Sequence, residues 1–333
     1  MLKLTPLPKG FLAILMLVFT ASVQYGFSQT IAKLDSSSVY TQKIPGTEVS
    51  FDMVAIPGGI YTMGSDSLNI DESPAHLVKI DNLWAGKYEV TWELFDLFLA
   101  ENKAVFDSLP NETLQKVDAI TRPSPPFEDP SLGMGKDGFP VVNVSPYAAL
   151  TFCKWLSTVT GRFYRLPTEA EWEYMCKKGA DTEDFFSVKT DVLDQYVWSY
   201  ENSDYQYAKV GEKLPNGFGL YDILGNVSEW TLDEYNAKYY EKFRDSIAEN
   251  PWNIPTKLHP RVYRGGSWYD DLRNISPTKR GESGLYLQKN DPQIPKSFWW
   301  YTDSSYIGFR LVSPIEQPSE EETQKFWQIV LDE

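Results

Sequence analysis

The stretch SPYAALTFCKWLSTVTGRFYRLPTEAEWEY, residues 145–174, sets two helices end to end. Ser145 followed by Pro146 is a helix start, because proline's fixed φ suits the first helical position and its missing N–H leaves nothing unpaired there. Ala149, Phe152, Cys153, Leu156 and Val159 then recur at helical spacing as a buried face, and Gly161 ends the run. The second helix opens at Thr168, whose hydroxyl caps it. Glu171, three residues on, completes a capping box, with Trp172 and Met175 turned to the core.

Outward from this pair the apolar pieces shorten. Residues 54–63, broken by Pro57, Gly58 and Gly59, read as two strands around a turn, and residues 77–80 continue in strand style. Thr91 caps a helix bearing Leu94, Phe95, Leu97 and Phe98. Residues 102–138, with Pro123, Pro125 and Pro126, read as a long ordered loop with one short helix around Glu112. Residues 261–268 predict a strand in which Gly265 and Gly266 allow close backbone approach, and residues 307–312 predict a closing strand. Ser319 and Glu322 repeat the capping box ahead of an apolar face of Phe326, Ile329 and Val330. With 15% aromatic residues and 22 prolines, the composition favours a loop-rich α+β domain.

Lys3 and Lys9, an apolar run over residues 11–18, and small polar residues through Ser28 have the layout of a cleavable secretory signal. The run is shorter than the roughly 20 residues of a membrane span. Gly26 and Ser28 suit a cleavage site, so a mature, exported chain is expected from near Gln29, periplasmic or extracellular and without a transmembrane segment. The expected organisation is a signal peptide at 1–28, a flexible lead-in at 29–50, one domain at 51–313, and an acidic extension with a short amphipathic helix at 314–333. A net charge of −15 argues against nucleic acid or anionic membrane as partner. Cys153 and Cys176 can form one bridge at most within a monomer. The commoner role for such residues is that of small buried hydrophobes.

Seven segments in order resemble the formylglycine-generating enzyme or sulfatase-modifying-factor family. They are IPGGIYTMGSD (56–66), KYEVT (87–91), FPVVNVSPYAALTFCKWLS (139–157), YRLPTEAEWEY (164–174), LPNGFGLYDILGNVSEW (214–230), RVYRGGSW (261–268) and IGFRLV (307–312). The resemblance implies that family's fold, a C-type-lectin-like variant with little regular secondary structure and a groove that receives a peptide. It also implies an oxidase chemistry in which two cysteines hold copper(I) and convert a sulfatase cysteine to formylglycine, since thiolates are soft ligands suited to copper(I). Counting from Ser267, the positions of those cysteines are Asp270 and Ile275 here. Copper is therefore not expected as a cofactor, and Cys153 and Cys176 match structural positions instead. The same resemblance implies structural calcium at DILGNVSE, held by Asp222 and Glu229 with the carbonyls of Gly225 and Val227, a set of hard oxygen donors.

Around the changed positions, Arg264, Ser267, Trp268, Asp270 and Asp271 are the pocket candidates, with Asp270 and Asp271 suited to a cation, a ligand hydrogen bond or base catalysis. The plain alternative is an exposed turn. Glu169, Glu171 and Glu173 look catalytic, but a capping box and a helix surface explain them more simply. His76 and His259 are too few for a multi-histidine metal site. Trp299, Trp300 and Tyr301 suggest a sugar platform or, more commonly, core. Three functions stay open: a non-oxidase binding or scaffold protein whose groove takes a peptide or protein, an enzyme using acid-base or metal chemistry near Ser267 and Asp270, and a carbohydrate-binding module.

Overall fold

The computed structural model describes residues 38–67, 69–99, 103–179 and 190–331; the signal expected at 1–28 lies outside them. Strands β1 (Val39–Lys43), β2 (Ser50–Ile56), β3 (Gly59–Met63), β4 (His76–Ile80) and β5 (Leu83–Gly86) come first. Helices α1 (Trp92–Leu99), α2 (Lys103–Ser108), α3 (Asn111–Asp118), α4 (Pro146–Thr160), α5 (Glu169–Gly179) and α6 (Thr190–Leu193) follow. Then come β6 (Ser228–Glu234), β7 (Ala248–Glu249), β8 (Arg261–Arg264), β9 (Arg280–Glu282), β10 (Ile307–Gly308), β11 (Val312–Pro314) and α7 (Glu320–Leu331). They form three small sheets, ordered β1-β2-β5-β11, β3-β4-β7 and β10-β6-β8-β9. Short elements and long irregular connections make this the expected loop-rich α+β architecture.

The helix pair forms for the local reasons read in the sequence. Ser145 Oγ accepts from the Ala148 amide at 3.0 Å, and Gly161 closes α4 with a left-handed φ of 71°. Thr168 Oγ1 accepts from the Glu171 amide at 3.1 Å while Glu171 Oε2 accepts from the Thr168 amide at 2.8 Å, a reciprocal capping box. Phe152 and Trp155 on α4 meet Phe95 and Phe98 on α1, and Phe309 joins them, to form the aromatic centre of the larger core. A second core lies between α5 and the β3–β4 hairpin, around Trp172, Met175 and Tyr61. Cys153 and Cys176 are unbridged and buried, one in each core. Burial pushes both thiols well above the usual cysteine range.

Several expectations need correction. The lead-in is not all flexible: β1 lies inside it and pairs antiparallel with β2, from Val39 opposite Val54 to Lys43 opposite Ser50, so the ordered fold begins before Phe51. The stretch at 102–138 holds the short helix expected around Glu112, as α3, and a second helix, α2, where the sequence reads as loop; buried Val105 and Val117 anchor the two to the larger core. The predicted strand at 307–312 is split: β10 pairs with β6 and β11 with β5, in different sheets. The strand at 261–268 stops at Arg264, because Gly265 and Gly266 turn the chain with φ of 103° and 67°. The apolar face expected on α7 packs on the domain: Phe326 and Trp327 lie on Phe163, and Phe326 also meets Trp252.

Glu169 and Glu173 are not on a helix surface either. Glu169 takes a two-pronged contact from Arg280, 2.7 and 2.9 Å, and Glu173 pairs with Arg264 and with Lys177 at 2.7 Å. Next to them Asp233, 2% exposed, accepts from the amides of Glu169 and Asn253 at 2.6 and 2.8 Å. Burial and then the Glu169 charge push its carboxyl from an ordinary 3.8 up to about 7. A raised folded-state value means that the unfolded chain releases this proton first, so this group's contribution to stability falls as pH rises from about 4 to about 7. Urea unfolding at pH 4.5 and 7.5 is expected to show a steeper loss in the native protein than in Asp233→Asn; equal slopes would mean that Asp233 is ionised throughout.

Candidate functional site

The turn after β8 carries the candidates. The Ser267 hydroxyl and amide both donate to Asp270 Oδ2, at 2.9 and 3.0 Å, and the Asp270 amide returns to the Ser267 carbonyl at 3.0 Å. Lys279 Nζ lies 3.5 Å from Asp270 Oδ1. Ser267 is fully buried beneath this turn. Asp270 thus holds the turn closed, and a serine donating to a carboxylate with no imidazole beside it is not an activated nucleophile. Asp271 is half-buried, its carboxylate 3.1 Å from Arg273. Trp268 is buried, with its indole N–H on the Ser305 carbonyl at 3.1 Å.

Arg264 does not join them. Its guanidinium is completely buried, pairs with Glu173, donates to the carbonyls of Pro277, Thr278 and Lys279, and lies 5.3 Å from the Trp172 ring. The sequence grouped it with Ser267 because they are neighbours in a motif, but the strand ends at Arg264 and the left-handed Gly265 and Gly266 between them turn the chain away. Ile275 is buried and packs against Gly266, where an added Cβ would meet its Cγ1 at 2.7 Å. Two cavities lie elsewhere: about 470 Å³ between α4 and α7, beside Lys154 and Trp327, and about 230 Å³ beside Asp52, Tyr88 and Leu94.

The loop of residues 222–229 gathers charge. Glu229 accepts from Arg310 Nε and Nη2, at 2.9 and 2.6 Å, and from the Trp172 indole at 2.8 Å. Beside it are Asp222 and Glu89, a residue the sequence reading passed over. Glu89 accepts from Asn226 Nδ2 at 2.9 Å and from the Val227 amide at 3.2 Å. Burial, then Asp222 and Glu229, raise the Glu89 carboxyl well above the usual range, and burial raises Asp222 to about 6. Asp222 Oδ2 takes the Gly211 amide at 2.7 Å, while its buried Oδ1 has no hydrogen-bond partner. Three carboxylates therefore face one guanidinium, and an orphaned acceptor is left over, a donor set that fits a hard divalent cation. Among the described residues no three carboxylate, imidazole or thiolate side chains are placed to share one metal ion, so carbonyls would have to complete a shell. Gly225 is required here: its φ is 78°, and a Cβ would come within 2.2 Å of the Trp198 carbonyl.

The remaining candidates are structural. Trp299, Trp300 and Tyr301 are buried in the larger core, the commoner of the two roles read for them, which leaves no sugar platform there. His76 is buried against Tyr240 and Phe243, and His259 lies between Ser283 Oγ at 2.7 Å and the Tyr301 hydroxyl at 3.3 Å. No helix among the described residues is long and apolar enough to cross a membrane.

Known proteins are similar to this chain. The family model of the sulfatase-modifying factor enzyme 1-like domain matches residues 41–314. The mouse formylglycine-generating enzyme is 30% identical over 258 residues, covering 65% of this chain and 66% of the enzyme. The chain thus spans just under two thirds of the length of that relative. A bovine protein named inactive C-alpha-formylglycine-generating enzyme 2 is 28% identical, covering 68% of this chain and 79% of its own. The structure of Treponema denticola variable protein 1 superposes with a TM-score of 0.59 at 25% identity, over 83% of this chain and 99% of that one. By the spacing that the resemblance implies, Asp270 and the buried Ile275 stand where the family's oxidase carries its cysteines. The chain belongs to the sulfatase-modifying-factor, or formylglycine-generating enzyme, family as a member without the active-site cysteine pair.

Proposed function

We propose that this protein is an exported, non-oxidase member of the family that binds a peptide or protein partner on the face of the 267–271 turn. The observation that carries the reading is the fate of the two changed positions. Asp270 is committed to closing the turn, and Ile275 fills space under Gly266, so neither presents a ligand to copper or a free base to a substrate. The bovine relative named inactive agrees with a family branch that keeps the fold without the oxidation. Exposed aromatic side chains around the turn supply the contact area that such a role needs.

The same proposal includes a structural calcium ion at the 222–229 loop, with Asp222 and Glu89 as carboxylate donors and the carbonyls of Gly225 and Val227 completing the set; Glu229, already held by Arg310, contributes charge from the flank. The ion would balance buried negative charge and hold the loop that backs the turn. The test has two arms. Incubation with copper(I), oxygen and a cysteine-bearing sulfatase-motif peptide is expected to leave the peptide unoxidised by mass spectrometry; formylglycine in the product would overturn the non-oxidase reading. Calcium at about a hundredfold excess over its dissociation constant is expected to add about 2.7 kcal/mol to the unfolding free energy after chelator treatment. Asp222→Ala is expected to remove that gain, and a native protein indifferent to calcium would remove the ion from the proposal.

A further inference from the structure

Six tyrosines form one ridge beside the turn. Tyr205 and Tyr200 meet edge to face, centroids 5.0 Å apart, and the Tyr200 amide donates to the Asp270 carbonyl at 3.0 Å, tying their loop to the turn. Tyr269, on the turn itself, stacks on Tyr306 at 5.8 Å and 19°. Tyr286 and Tyr263 join by their hydroxyls at 3.2 Å, and Tyr306 is close enough to Tyr286 and Asp270 that their charges, after burial, hold its phenol above the usual range. Tyr205 and Tyr269 are 66% and 64% exposed, and Tyr286 and Tyr200 48% and 44%. Single exposed aromatics are ordinary, but a contiguous run marks a surface that something covers. Asp204 and Tyr205 are both left-handed, with φ of 52° and 63°, a conformation that aspartate tolerates and that is uncommon for tyrosine.

The charge around the ridge selects the occupant. Arg273 and Lys279 are spent on Asp271 and Asp270. Asp204 and Glu282 are exposed at its margins, as is Glu201, whose carboxylate accepts from the Ser199 hydroxyl at 2.8 Å and the Leu272 amide at 3.0 Å; none of the three forms an ion pair among the described residues. Phenol faces attract cations through the ring quadrupole, and a carboxylate nearby adds to the attraction. The chain already holds one lysine this way: Lys87 Nζ lies 5.3 Å from the Tyr88 ring, 5.7 Å from that of Tyr221 and 3.6 Å from Asp52. We propose that the tyrosine ridge is a docking surface for a protein partner that presents clustered lysine or arginine side chains. This rests on the binding-protein reading and names the partner's chemistry.

The test is selection of a phage-displayed library of random dodecapeptides on the purified protein, followed by fluorescence anisotropy of the winning peptide. Enrichment of lysine- and arginine-rich peptides is expected. The Tyr205→Ser/Tyr269→Ser variant, with its thermal midpoint unchanged, is expected to bind about tenfold or more weakly, as loss of central aromatic anchors does. Phe127→Ser, at another exposed aromatic, should bind as the native protein does. Enrichment of neutral or acidic peptides would overturn the cationic partner while leaving the binding reading intact, whereas no enrichment would count against both. Cellohexaose binding that the tyrosine variant loses, with no basic peptide bound, would replace the protein partner with a glycan.

Discussion

Replacing Arg310 by leucine is expected to destabilise the protein by about 3–5 kcal/mol, read as a lower urea midpoint, because it removes one partner of a buried ion pair. Arg310 is completely buried. Besides Glu229, its guanidinium donates to the carbonyls of Gly86 and Tyr221, both at 2.9 Å, so one side chain joins β5, the 222–229 loop and β6. Without it, Glu89, Asp222 and Glu229 would sit together with no guanidinium to balance them, and in chelator the protein must take up protons or open. The Arg310→Leu variant should therefore recover stability at low pH, where Glu89 and Asp222, whose carboxyls burial already raises, are neutral, and lose it as pH rises. A loss under about 1 kcal/mol would mean that the pair is hydrated and behaves like a surface bridge.

The second large effect is expected at Trp172. Truncation to alanine should cost about 3–5 kcal/mol, the range for a buried aromatic whose cavity cannot fully collapse. Trp172 is fully buried on α5, faces the Arg264 guanidinium, and lies 3.2 Å from where a Cβ on Gly265 would stand. Trp172→Phe keeps most of the volume but leaves Glu229 short of a donor, at about 1–3 kcal/mol. Because Trp172 and Arg310 both act on Glu229, a double-mutant cycle of Trp172→Phe with Arg310→Leu should depart from additivity by 0.5 kcal/mol or more in its roughly 0.5–3 kcal/mol coupling range. Strict additivity would show that the two donors hold the carboxylate independently.

What the sequence made legible was local. Ser145, Pro146 and Gly161 bracket α4, and Thr168 with Glu171 opens α5, because caps are set by residues three or four apart. The ordered motifs carried the family, and with it the loss of the cysteine pair at 270 and 275. What stayed hidden depends on distant partners. Glu169 and Glu173 look like surface residues in a helix's first turns until Arg280 and Arg264 arrive from β9 and β8. Glu89 precedes α1 with no spacing that links it to Asp222. Tryptophans 299 and 300 drew attention by their size, yet size favours burial, and the exposed aromatics beside the turn proved to be tyrosines 200, 205, 269 and 286, scattered along the chain.

The first sheet places β11 against β5, with Val312 opposite Ala85, while β5 pairs on its other side with β2. A ribosome must therefore make nearly all of the chain before that sheet can close, and until then β5 has one bare edge. Such contact order slows folding and exposes pairing edges to other chains. A protein wired in this way has little tendency to lock into its final shape halfway through synthesis. Cutting the chain just before β11 should therefore yield an aggregation-prone product instead of a smaller stable domain.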